Sequence, residues 1–266
     1  MRLRNTIYFF LIIFFYYQNS SFSQVISVNV NEKGSFFSSD PTKTFLWESN
    51  KAKATLIFIP GGEGSLKLSD DRKDLKGFYG KTLRPLSDST LTSGKFNVVV
   101  FDSPWPLAVG KDYPTSRATS DHLARIDSVV DFYHNKYNKP IWLMGHSNGA
   151  VSVTEFYKYL QKNNREKIIS GIIYSSARNG ANFNAETNIP VLFLAHEKDG
   201  CSRSSPQNSQ SVFNDLKKTN KFKTEYIFIK GGESEGEPCH SGYHMFFEAE
   251  KDAYKAIDLF SSEFLK

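Results

Sequence analysis

Ser147 stands between two glycines in Gly145-His146-Ser147-Asn148-Gly149, directly after an apolar run and directly before a segment with helical spacing. This fits G-x-S-x-G, in which a serine sits on a sharp turn from strand to helix. Side chains two positions to either side would clash there, and glycine at 145 and 149 removes the clash. The start of the following helix favours developing negative charge. An N-cap serine in a glycine-rich turn is the plain alternative, and the pentapeptide alone does not decide between them.

The ends of the other apolar runs do. The run ending at Pro60 leads into Gly61-Gly62-Glu63-Gly64, the run over 189–195 leads into His196-Glu197-Lys198-Asp199, and the run over 222–230 leads into a loop carrying His240 and His244. In chain order the strand ends offer glycine-rich amides, a serine, an aspartate and a histidine. A serine hydroxyl needs a base, the base needs an orienting carboxylate, and the oxyanion needs two N–H donors. Asp199 is the expected carboxylate, with Glu197 in reserve, and a turn aspartate capping its own backbone is the rival reading. The expected donors are the backbone amides of Gly62 and Asn148. Of six histidines, His146 lies inside the elbow, and His122 and His134 fall on a helix as surface or supporting groups. His240 and His244 remain as the base. Met245-Phe246-Phe247 would anchor the second of these just before the last helix.

These residues need a frame. Strand signals run over 25–30, 44–48, 53–60, 96–102, 140–145, 167–177, 189–199 and 222–232, and helical signals over 78–86, 121–137, 148–161, 210–219 and 248–265. Near-continuous apolar strands alternating with helices predict an α/β fold, a mostly parallel sheet with helices on both faces. Ligands of such sheets sit beyond the carboxyl ends of the strands. Only about a dozen residues, 178–189, separate two late strands, which leaves no room for a large cap domain. Loops 63–77 and 103–119, the latter with Trp105, Pro106 and Tyr113, are then expected to shape the pocket.

Residues 1–23 begin with Arg2 and Arg4, continue as an apolar core over 6–17, and end in small polar residues, with Ser21 and Ser23 at −3 and −1 of a cut before Gln24. This reads as a signal peptide, too short to span a membrane, with an uncleaved N-terminal anchor as the rival reading, and residues 24–266 as one domain. Removing it lowers the formal net charge from +5 to +3. With scattered lysines and no dense basic run, nucleic acid is not an expected partner. No metal-ligand spacing and no phosphate-binding glycine pattern appears, so neither metal nor cofactor is expected. In an exported chain, periplasmic or secreted, the two cysteines Cys201 and Cys239 are expected to bridge, tying the aspartate loop to the histidine loop. The acidic run Glu233, Glu235, Glu237 reads as a solvated loop.

The order Ser147, Asp199, His244, together with PGGEG, resembles the α/β-hydrolase superfamily over residues 53–266. LIFIPGGEGS, NVVVFDSPW, PIWLMGHSNGA, HEKDGC and EPCHSGYHMF resemble a group of small bacterial α/β-hydrolases. That group pairs an aspartate-proximal with a histidine-proximal cysteine, and its C-x4-H points to His244. Two departures stand out: Met245 follows His244 where glycine is frequent, and Asn148 replaces a frequent charged residue, which bears on pocket polarity. The resemblance implies hydrolysis of an ester and names no substrate; a Ser-His-Asp triad would act through an acyl-enzyme, and the open site left by the missing cap suits a small or polymeric ester. A non-catalytic binding protein on the same scaffold, or a peptidase, thioesterase or transacylase with the same triad, are the alternatives.

Overall fold

The computed structural model describes residues 22–30, 40–108, 113–182 and 187–266. Most of the expected signal peptide lies outside them. The side chain of Tyr113 does too.

Eight strands form one sheet: β1 (Ser23–Val28), β2 (Thr42–Trp47), β3 (Ala54–Ile59), β4 (Phe96–Asp102), β5 (Ile141–His146), β6 (Ile169–Ser175), β7 (Val191–His196) and β8 (Thr224–Ile229). Their order is β1-β2-β4-β3-β5-β6-β7-β8. The β1–β2 and β2–β4 pairs are antiparallel and the rest are parallel. The helices are α1 (Tyr113–Arg117), α2 (Ser120–Tyr137), α3 (Asn148–Lys162), α4 (Pro206–Thr219) and α5 (Glu250–Ser262).

The inner strands are mostly apolar because both sheet faces are covered. Successive side chains point to opposite faces. On one face Ile57, Ile59, Val99, Phe101 and Leu143 pack with Leu123, Ile126 and Val130 of α2 and Val153, Phe156 and Leu160 of α3. On the other, Leu56, Phe58, Val98, Val100 and Met144 pack with Phe78, Leu83, Leu86, and Ala253, Ile257 and Phe260 of α5. β5 is completely buried and passes straight into α3.

Several segments differ from the sequence reading. The helix expected over 78–86 is a π turn, Tyr79–Leu83, running into a 3₁₀ turn, Arg84–Ser87, with Pro85 near its start. The loop expected over 103–119 contains α1, which has no amphipathic spacing to betray it. Helix α4 begins at Pro206 rather than 210, because Ser205 caps it by accepting from the Asn208 amide and proline fits its first turn. Between β6 and β7 no cap domain is present among the described residues.

Candidate active site

Ser147 occupies the turn between β5 and α3 with φ +51° and ψ −122°, a region that non-glycine residues avoid. Neighbours hold it there: its N–H donates to the Ser175 carbonyl at 2.9 Å, and its carbonyl accepts from Ala150 and Arg178 amides. The elbow glycines are required by close packing. A Cβ on Gly149 would lie 2.0 Å from the Ile59 carbonyl oxygen, and one on Gly145 would lie 2.6 Å from the Gly149 carbonyl oxygen. The elbow thus wedges α3 onto the end of β3.

The glycine-rich turn after β3 lies directly against this serine. A Cβ on Gly61 would come 2.9 Å from that of Ser147. The Gly61 carbonyl accepts from the Gly64 amide at 2.9 Å, and Gly62, at φ +53°, takes the first central position, where such turns favour glycine. The Gly62 amide has no backbone acceptor among the described residues. The Asn148 amide opens α3, where helical N–H groups have no intrahelical partner.

His244 sits in a 3₁₀ turn, Gly242–Met245, that the sequence did not announce. Its Nδ1 lies 2.8 Å from Asp199 Oδ2, and both side chains are buried. The other carboxylate oxygen of Asp199 accepts from the Cys201 amide at 2.9 Å. The turn-capping reading and the histidine-orienting reading of Asp199 therefore describe one carboxylate, each using a different oxygen. With Nδ1 donating to the carboxylate, Nε2 is the basic atom, and it is buried without a protein partner. The Ser176 hydroxyl donates to the His244 carbonyl at 3.0 Å. His240 and Glu197 are exposed, and His240 pairs with Glu237 rather than with Asp199.

A disulfide joins Cys201 to Cys239, with Cα atoms 4.7 Å apart, and so links the Asp199 loop to the His244 loop. His196 reinforces the same junction: it accepts the Lys198 amide at Nδ1, donates from Nε2 to the Gly231 carbonyl at 2.7 Å, and stacks on Tyr243 at 4.3 Å.

Ser147 and His244 both line a cavity of about 290 Å³. Its wall is apolar, with Phe58, Leu66, Phe78, Tyr79 and Met245, and its exposed lining includes Glu63 and His240. The 63–77 loop contributes to it as expected. Trp105 and Pro106 do not: Trp105 is turned away under the Arg125 guanidinium, 4.5 Å from its ring centre. Asn148 also differs from expectation. Its side chain does not face the cavity but bridges the Gly62 carbonyl at 3.1 Å and Arg178 at 3.2 Å.

Two histidines are buried beyond what the sequence suggested. His146 contacts the His244 ring at 5.0 Å and Phe78 at 4.7 Å, and its Nδ1 meets the Ser175 hydroxyl at 3.0 Å. Burial, then the neighbouring His244, pushes its pKa well below the usual histidine value. His122 is buried against Ser152 rather than at the surface. Arg117, which the sequence reading passed over, lies buried under the glycine turn. A lone arginine in a segment rich in Pro, Ser and Gly carries no periodic signal.

Among the described residues no cluster of His, Cys, Asp and Glu could hold a metal, and no helix is long and apolar enough to cross a membrane. No protein-family model and no curated protein matches the sequence. Solved structures do match. A lidless α/β serine hydrolase from Xanthomonas campestris superposes with a TM-score of 0.60 at 13% identity, over 92% of this chain and 96% of its own. Dienelactone hydrolase from Anabaena variabilis gives 0.58 at 13%, over 94% and 100%. A cold-adapted esterase from an Arctic intertidal metagenomic library gives 0.55 at 14%, over 92% and 94%.

Proposed function

We propose that this chain, whose fold is that of the α/β hydrolases, is an exported serine hydrolase of carboxylic esters. The observation that carries the reading is one cavity lined by both a strained elbow serine, Ser147, and His244, whose far ring nitrogen meets Asp199. The descriptions of two fold neighbours, a lidless serine hydrolase and an esterase, lean the same way.

In this reading Ser147 Oγ attacks the substrate carbonyl carbon. His244 Nε2 takes the hydroxyl proton as the C–O bond forms, and the π pair moves onto the carbonyl oxygen. The amides of Gly62 and Asn148 receive that oxyanion. Asp199 holds the His244 tautomer and stabilises the imidazolium. Collapse expels the alcohol, protonated by His244, and leaves an acyl-enzyme. Water, deprotonated by His244, repeats the cycle and releases the acid.

The apolar wall of Phe58, Leu66, Phe78, Tyr79 and Met245 suits a short uncharged acyl group. Among the described residues no lysine or arginine lines the cavity to hold an acyl carboxylate. Export is supported by the leader pattern over 1–23 and by the disulfide. The test is a panel of p-nitrophenyl esters from acetate to octanoate, with p-nitroanilides beside it and Ser147→Ala as control. Turnover of short esters, lost in the variant, supports the reading. Turnover of anilides but not esters would replace it with a peptidase, and no turnover of either would favour a binding protein.

A further inference from the structure

Arg117 ends α1 and is fully buried. Its guanidinium reaches three acceptors. Nη1 donates to the Ser152 hydroxyl at 2.8 Å and the Pro60 carbonyl at 3.3 Å, and Nη2 donates to the Gly62 carbonyl at 2.9 Å. Nε has no acceptor, and no carboxylate among the described residues pairs with the group. Burial, then the like charge of Arg178, pushes its pKa down to about 9, which leaves it charged at neutral pH. A buried cation without a counter-ion is costly, so its retention calls for a reason.

The acceptors supply one. Pro60 and Gly62 flank Gly61, so one guanidinium pins the carbonyls on both sides of the glycine that touches Ser147. The carbonyl between them, that of Gly61, is held by the Gly64 amide. In a trans peptide the N–H points opposite to its carbonyl. Three successive peptide planes are therefore fixed, and with them the direction of the Gly62 N–H. Asn148 donates to the same Gly62 carbonyl, tying this turn to the start of α3.

The far side of the network is built to tolerate the charge. The Ser152 hydroxyl meets His122 Nε2 at 2.9 Å. A neutral His122 accepts the hydroxyl proton there, which leaves the oxygen lone pairs to Arg117. Burial first, then Arg117 and Arg125, pushes the His122 pKa to about 3, so it adds no second cation.

We propose that Arg117 is a positioning residue for ester hydrolysis: it holds the turn so that the Gly62 amide faces the substrate carbonyl, and it places an unpaired positive charge behind the oxygen that becomes negative. This rests on the serine-hydrolase reading. The advantage appears only when the oxyanion forms, so losing Arg117 lowers kcat rather than raising KM.

The test measures p-nitrophenyl ester kinetics and inhibition by n-butylboronic acid, which forms a tetrahedral adduct with an active serine. Arg117→Gln is expected to lower kcat about 10²-fold with KM within about twofold, and to weaken boronate inhibition by a similar factor. Arg117→Lys, which keeps the charge and one donor, is expected to recover about tenfold of that loss. A kcat for Arg117→Gln within about threefold of wild type overturns the proposal, as does a loss of kcat with boronate affinity unchanged. Should Arg117→Gln not fold, Ser152→Ala removes one of the guanidinium's anchors. A fall in kcat of about threefold or more at constant KM then supports the proposal, and an unchanged kcat overturns it. A wild type that neither turns over esters nor binds the boronate overturns the hydrolase reading itself, and this proposal with it.

Discussion

Acidification should expose the buried His122. It packs against the Phe101 ring, meets the Ser152 hydroxyl, and feels the charges of Arg117 and Arg125. Its pKa is pushed from 6.5 to about 3 in the fold. The unfolded chain therefore binds a proton near pH 6.5 that the folded chain refuses. The associated stability is fully present above pH 6.5 and is lost as pH falls from there towards 3. At 1.36 kcal/mol per pH unit, the loss from this one group between pH 7 and pH 5 is about 2 kcal/mol. His146, also depressed by burial, acts in the same direction. Carboxylates such as Asp102 and Asp127, raised mainly by burial, act in the opposite one. The comparison must therefore be between variants. Urea unfolding of wild type and His122→Gln at pH 7, 6 and 5 isolates the residue. The stability difference between them should shift in the variant's favour by about 2 kcal/mol over that range. Parallel curves would refute the reasoning, since they would mean that His122 takes its proton inside the fold as readily as outside.

Gly149→Ala should cost at least about 3 kcal/mol in urea unfolding, because its Cβ would lie 2.0 Å from the Ile59 carbonyl oxygen and would force α3 off β3; a loss under about 1 kcal/mol would show the elbow to be pliant. Reducing the Cys201–Cys239 bridge opens a loop of 38 residues and should lower stability by about 4 kcal/mol on the chain-entropy view. Because that bridge joins the Asp199 and His244 loops, reduction should also slow ester turnover, and equal melting and turnover in both redox states would contradict this.

The strands were legible because they are buried on both sides. β4 was readable to its boundaries, since FNVVVFD is apolar but for Asn97 and the closing Asp102. The order of strands in the sheet was not readable, because pairing joins residues far apart in sequence. At the site, Ser147, Asp199 and His244 could be suspected because a parallel sheet brings its carboxyl ends to one edge. What escaped were side chains whose role depends on a neighbour: Arg117 gave no signal, Asn148 looked like a pocket residue, and Trp105 like a pocket wall. Each is decided by a partner on another element.

The central claim is that Ser147 is an activated nucleophile. Intact-mass analysis of the protein from Gln24 onward after fluorophosphonate treatment tests it most directly, with Ser147→Ala and His244→Ala alongside. The account predicts one adduct on the wild type, none on Ser147→Ala, and labelling of His244→Ala slowed on the order of 10³-fold or more. A folded, disulfide-bonded wild type that takes up no label, or labels equally well without Ser147, would contradict it.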